Sequence, residues 1–199
     1  MNNREHLIRG GVCSQHIVHF FDDDAARVNA VGAFLADGLK AGKSVIAIVR
    51  PKYWTDIAEL LQAQSVVVHA DARLIVLDAH ATLAGLMRHG QFEPSNFRKT
   101  VTPLVKSVAV ASGAGMAAYG EMVDILASEG NFAAAEELEA AWNELAAETS
   151  MSLLCGYSSA HFSARGQRDA LAAICRAHTD VRTDAVDALG SWLLRRAIS

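Results

Sequence analysis

The sequence predicts an α/β fold: a mainly parallel central sheet flanked by helices. Three observations carry this. Apolar runs of strand length, "QHIVHFF" (15–21), "SVIAIV" (44–49), "LIVLDA" (74–79) and "MSLLCGY" (151–157), alternate with segments of helical spacing. The second of these is continuously apolar, as befits a strand covered on both faces. Strands that alternate with helices close most simply into a parallel sheet through right-handed crossovers.

Taken in order, "QHIVHFF" combines aromatic and β-branched residues and predicts the first strand. Asp22, Asp23 and Asp24 follow, where carboxylates can accept the orphan N–H groups of a helix start. Val28, Val31, Phe34, Leu35 and Leu39 then recur at helical spacing, and Gly42 supplies a stop. After "SVIAIV", Pro51 ends the strand and "YWTDIAELLQAQ" (53–64) predicts a helix. The stretch from Pro94 to Ser112 has helical spacing, with Pro103 expected to kink or break it. "GMAAYGEMV" (115–123) predicts a short strand ending in a turn, and 131–150, rich in Ala, Glu and Leu, a long helix. A helix over about 166–178 and an amphipathic one over about 184–197 complete the chain. We therefore expect one principal domain over 1–180 and a C-terminal amphipathic helix in 181–199, packing on the domain or on a partner.

Composition narrows the function. The 199 residues are 51% hydrophobic and carry a formal charge of −4, enough for a sizeable core. No basic stretch provides a nucleic-acid footprint, and no apolar run reaches the roughly 20 residues of a membrane span. No signal peptide is visible at the start, so a cytoplasmic protein is expected. Cys13, Cys155 and Cys175 lack CxxC spacing, and the histidines at 69, 80, 89, 161 and 178 form no recognisable ligand spacing. No metal site is expected on that basis, and no motif identifies a cofactor. Ser residues without a G-x-S-x-G elbow give no support to acyl transfer.

The strand–helix–strand unit from 16 to 49 has the shape of a P-loop nucleotide-binding unit. Its loop, "FFDDDAAR", lacks the glycines, lysine and Ser/Thr that hold phosphate and magnesium, so ATP hydrolysis is not expected. The run "FLADGLKAGKSVIAIV" resembles the corresponding helix and strand of KaiC/RecA-type ATPases. Across nearly the whole chain, "HIVHFF", "FLADGLKAGKSV", "YGEMV", "LEAAWNEL", "LLCGYS" and "ICRAH" occur in the order and spacing of the MEDS domain, a sensory domain of methanogens and methylotrophs. That resemblance implies a RecA/KaiC-like fold with a degenerate P-loop, used to sense one-carbon or hydrocarbon-derived signals and coupled to histidine kinases or transcription regulators. The family pattern His-x-Cys is met here by His16-Ile17-Val18, which removes a thiol from the face of His16 and speaks against a family-type His/Cys site.

Open parallel sheets bind ligands beyond the carboxyl ends of their strands. The candidate ligand-binding residues are accordingly Phe21, Asp22, Tyr119, Glu121 and Tyr157, with Cys155 just before that end and His16 one strand length away. Glu121, buried at a strand end, should be paired or protonated. Cys155 is a reactive thiol only if its pKa is lowered, and otherwise a small buried group. Glu136, Glu137, Glu139, Glu144 and Glu148 are expected on a solvated helix face. The expected function is a non-enzymatic sensory domain that binds a small ligand and signals in trans to a regulatory protein such as a histidine kinase or transcription regulator, with a homodimer as one means of output. The alternatives are a ligand-free protein-interaction module and a residual nucleotide-binding protein.

Overall fold

A computed structural model describes residues 15–66, 71–149, 151–163 and 165–184. The elements run β1 (Gln15–Phe21), α1 (Asp24–Lys40), β2 (Ser44–Val49), α2 (Pro51–Ala63), β3 (Leu74–Asp78), α3 (Ala79–Leu86), β4 (Met87–Arg88), β5 (Gln91–Phe92), α4 (Pro94–Ala111), β6 (Met116–Gly120), α5 (Met122–Ser128), α6 (Phe132–Glu148), β7 (Met151–Ser158), α7 (Arg168–Ala177) and β8 (Asp180–Thr183). Six strands form one sheet in the order β3-β2-β6-β7-β1-β8, and every neighbouring pair is parallel. The fold is α/β, as the alternation of elements predicts.

Strand order decides which face each helix covers. The crossovers from β1 to β2 and from β2 to β3 run one way across the sheet; those into β6, β7 and β8 run the other. Right-handed connections then place α1 and α2 on one face and α3 to α7 on the opposite face. The buried side chains divide accordingly. Ile17 and Phe21 of β1 pack with Val31, Leu35, Tyr53 and Ile57 of α1 and α2. Val18 and Phe20, pointing the other way, join Phe97, Leu138, Trp142 and Ile174. Between β2 and β6, as between β7 and β1, the outgoing crossovers diverge, and the crevice between the carboxyl ends of such a strand pair is the usual ligand position in open parallel sheets.

Local chemistry explains the element ends. Asp23 caps α1, accepting from the Ala26 N–H at 2.8 Å. Gly42 follows α1 at φ +78°, a left-handed turn that a side chain would strain. Pro51 opens α2 at a position where its missing N–H costs nothing.

Three segments depart from expectation. Pro103 lies inside a continuous α4, its ring exposed, so the carbonyl it leaves unpaired faces water instead of breaking the helix. The segment after β6 enters α5 at once. Between β3 and α4 lie α3 and the two-stranded hairpin β4–β5, turned by His89 and Gly90, both at positive φ. The amphipathic helix expected over 184–197 lies outside the described residues beyond Asp184, as do Cys13 and His69; residues 180–183 form β8 beside β1.

Candidate functional site

One buried polar cluster lies at the carboxyl edge of the sheet and a second under α6 and α7, and the sequence-predicted residues other than Asp22 divide between them. The first fills the crevice between β2 and β6. Arg27 reaches it from the first turns of α1, Arg50 from the β2–α2 junction, Tyr119 and Glu121 from the end of β6, and Asp124 from α5. The Arg27 guanidinium donates to Glu121 Oε2 at 3.4 Å and to Asp124 Oδ2 at 3.1 Å. Arg50 Nη2 donates to Glu121 Oε2 at 3.1 Å and also to Asp124 Oδ2, while its backbone N–H donates to Glu121 Oε1. The Tyr119 hydroxyl donates to Glu121 Oε2 at 3.2 Å.

Two cations and two carboxylates thus balance in a site from which Arg27, Glu121 and Asp124 barely reach solvent. Glu121 is paired, one of the two outcomes its sequence position allows. Asp124 also accepts from the Ser158 N–H at 2.6 Å and lies 3.2 Å from His161 Nε2. Burial alone would raise the Asp124 pKa, but hydrogen bonding with His161 and the charges of Arg27 and Arg50 hold it below the usual carboxylate range. Phe21 and Tyr53 add aromatic faces: Arg27 lies 4.9 Å from the Phe21 centroid and 5.2 Å from that of Tyr53, and Arg50 lies 4.9 Å from Tyr53. The Nε atoms of both arginines are buried without a hydrogen-bond partner.

The aspartates of the first loop take separate parts. Asp22 is exposed and accepts from the Ser159 hydroxyl at 2.9 Å, Asp23 caps α1, and Asp24 accepts from the Tyr53 hydroxyl at 2.6 Å. None of the three enters the crevice; the groups filling it are Arg27 and Arg50.

The second cluster lies under α6 and α7. His16 and Cys155 face the same side of adjacent strands, with His16 Nε2 3.3 Å from Cys155 Sγ. Glu139 descends from α6 onto them: its Oε2 lies 3.2 Å from His16 Nε2, accepts from the Cys155 thiol at 3.2 Å, and lies 3.4 Å from His178 Nε2. Its Oε1 accepts from the Tyr157 hydroxyl at 2.9 Å. Glu139 is fully buried, which corrects its expected place on a solvated face. His178, a lone histidine by spacing, joins the same group, and His161 joins the crevice. Val18, where the family pattern has cysteine, pairs with Cys155 across β1 and β7, so the neighbouring strand supplies a thiol at that level. His19, at an odd offset from His16, faces the other way and bonds Asp184 at 2.7 Å.

Burial and the Glu139 charge push the Cys155 thiol well above its ordinary value, so in this state it is protonated and not a nucleophile. One donor atom from each of His16, Glu139, Cys155 and His178 lies within 4.8 Å of the others. These are the described residues able to hold a metal ion together.

The family model described as the methanogen/methylotroph, DcmR sensory domain matches residues 15–178, most of the chain and both clusters. The chain belongs to the MEDS family. No curated protein matches it. In this MEDS domain the matched span runs from β1 to the end of α7, so it contains every strand of the sheet except β8. Among the described residues no helix is long and apolar enough to cross a membrane.

Sequence reasoning found His16, Phe21, Tyr119, Glu121, Cys155 and Tyr157 and grouped all but His16 around one rim; the structure divides them between two clusters. It missed Arg27, Asp124, Glu139 and His178 as site residues. A signal for Glu139 was present: Ala135, Leu138, Trp142, Leu145 and Ala146 form the buried stripe of α6, and residue 139 falls within it. A carboxylate inside an apolar stripe needs partners.

Proposed function

We propose that this MEDS domain is a non-enzymatic sensor in which the Arg27–Glu121–Asp124–Arg50 network is a ligand-responsive latch. The observation that carries the reading is this neutral set of ion pairs, buried at the carboxyl ends of two neighbouring strands whose outgoing crossovers diverge. It joins α1, the β2–α2 junction, β6 and α5 through ion pairs among these four side chains, with the Arg50 backbone N–H also donating to Glu121. A small molecule bearing a hydroxyl or amine can donate to Glu121 or Asp124 in place of an arginine. Release of Arg50 would free the start of α2, and release of Arg27 the start of α1. Such a ligand shifts the domain between two states only through its different affinities for them. Family membership supports one-carbon or hydrocarbon-derived compounds as the ligand class and a regulatory protein, such as a histidine kinase or transcription regulator, as the recipient.

Thermal-shift measurements on the full chain against methanol, formaldehyde, methylamine and short-chain alcohols, with ATP with and without magnesium for comparison, test the reading. A rise in melting temperature with a one-carbon compound but not with ATP is expected, and its loss in Asp124→Asn. If no small molecule changes the melting temperature, the latch is not a small-molecule sensor.

A second reading, a ligand-free module that acts through its helices on a regulator, is favoured by the crevice being filled with arginine side chains. A partner that co-purifies with the domain and binds the wild type and Asp124→Asn equally, with no compound altering either, distinguishes it.

A further inference from the structure

We propose that His16, Glu139, Cys155 and His178 form a closed, four-coordinate site for a divalent transition metal, with Zn2+ the best match. Spacing is the first argument. Tetrahedral zinc with bonds of roughly 2.0–2.3 Å to nitrogen, oxygen and sulfur sets neighbouring donors about 3.3–3.6 Å apart. The cluster has His16 Nε2–Cys155 Sγ at 3.3 Å, His16 Nε2–Glu139 Oε2 at 3.2 Å, His178 Nε2–Glu139 Oε2 at 3.4 Å and Cys155 Sγ–Glu139 Oε2 at 3.2 Å. The remaining donor pairs lie within 4.8 Å, so small adjustments of the side chains place an ion at their centre.

The second argument is how the donors are held. Asn143 Nδ2 donates to the Ala177 carbonyl at 2.9 Å, which fixes the amide and leaves Oδ1 as an acceptor. His16 Nδ1 lies 2.9 Å from that Oδ1 and donates to it, which leaves Nε2 as the ring atom facing the cluster. His178 repeats the arrangement: Nδ1 donates to the Ile174 carbonyl at 2.7 Å. Its Nε2 is buried and faces Glu139 Oε2 at 3.4 Å, without a well-formed hydrogen bond. The Tyr157 hydroxyl holds Glu139 Oε1 and leaves Oε2 for the centre. Outer groups that orient each ligand in this way are the usual companions of a metal site.

Charge and donor chemistry select the ion. One thiolate and one carboxylate neutralise a dication in a buried volume, and two imidazoles with one sulfur favour zinc over magnesium or calcium, which take oxygen ligands. Four protein donors leave no position for water or substrate, so the ion ties α6 and α7 to β1 and β7 and has no hydrolytic role. The site lies under α6 and α7, apart from the proposed latch at the carboxyl edge of the sheet, and does not depend on it.

The test uses the full chain stripped with a chelator and titrated with Co2+. One equivalent per chain is expected, with a thiolate-to-cobalt charge-transfer band that Zn2+ abolishes. Cys155→Ser should lose that band and Cys175→Ser should keep it. Asn143→Ala, which frees the His16 ring, should weaken Zn2+ binding by about 10–100-fold. X-ray absorption of the zinc-loaded wild type, which needs no variant to fold, should give one sulfur and three nitrogen or oxygen neighbours. A sulfur-free sphere, absence of the band in wild type, or its persistence in Cys155→Ser would overturn the assignment.

Discussion

Arg27 and Asp124 meet at 3.1 Å with both side chains cut off from solvent, one from the start of α1 and the other from α5, at the carboxyl end of the sheet. The two residues are 97 apart in sequence, and each answers part of the other's desolvation. Truncating one partner of such a pair leaves an uncompensated charge. Arg27→Met is expected to destabilise the fold by about 3–5 kcal/mol. Urea denaturation of this variant and of Arg27→Met/Asp124→Leu checks it, the double variant losing less than the two single losses combined.

The depressed Asp124 pKa gives stability a definite pH dependence. A carboxylate held below its unfolded value stabilises the fold above that value, about 3.9, and loses the contribution as pH falls below it. The urea midpoint of the wild type should therefore fall as pH is lowered from about 5 towards 3. Asp124→Asn, less stable at neutral pH, should show a shallower fall. Parallel curves for the two proteins would mean that Asp124 is not the group responsible.

Gly156 sits where no side chain fits. A Cβ there would lie 2.8 Å from Phe21 Cε2 and 2.9 Å from the Tyr119 hydroxyl. Gly156→Ala should press Tyr119 away from Glu121 and cost about 1–3 kcal/mol, measured as a lower melting temperature. Tyr119→Phe in the same background should recover part of the loss, because it removes one of the two clashing groups.

Pro103 interrupts the hydrogen-bond ladder of an exposed face of α4. Pro103→Ala restores an N–H there and has higher helix propensity, so it should stabilise the domain by up to about 3 kcal/mol. Thermal melts of the two proteins are a sufficient check.

Cys155 is buried, and its thiol is pushed well above its ordinary value by burial and by Glu139. In the metal-free native chain, alkylation mapped by peptide mass should leave Cys155 unmodified until denaturant is added. Fast native-state labelling at this residue would contradict the closed cluster.

Much of the fold was legible along the chain because its signals are local. Strand-length apolar runs, the Asp23 cap, Gly42 and the Ala-rich stripe of α6 each act within a few residues, and their alternation implied the parallel sheet. Glu121 as a paired acid at a strand end followed from the cost of burying a lone carboxylate. Other features were decided only by tertiary structure. Strand order sent α1 and α2 to one face and α3 to α7 to the other, which divided one expected rim into two clusters. It also brought Glu139 and His178 against His16 and Cys155, and Arg27 and Arg50 against Glu121 and Asp124, although no linear spacing links them. Periodicity says which way a side chain points from its own element; which groups it meets depends on how the crossovers stack the elements around the sheet.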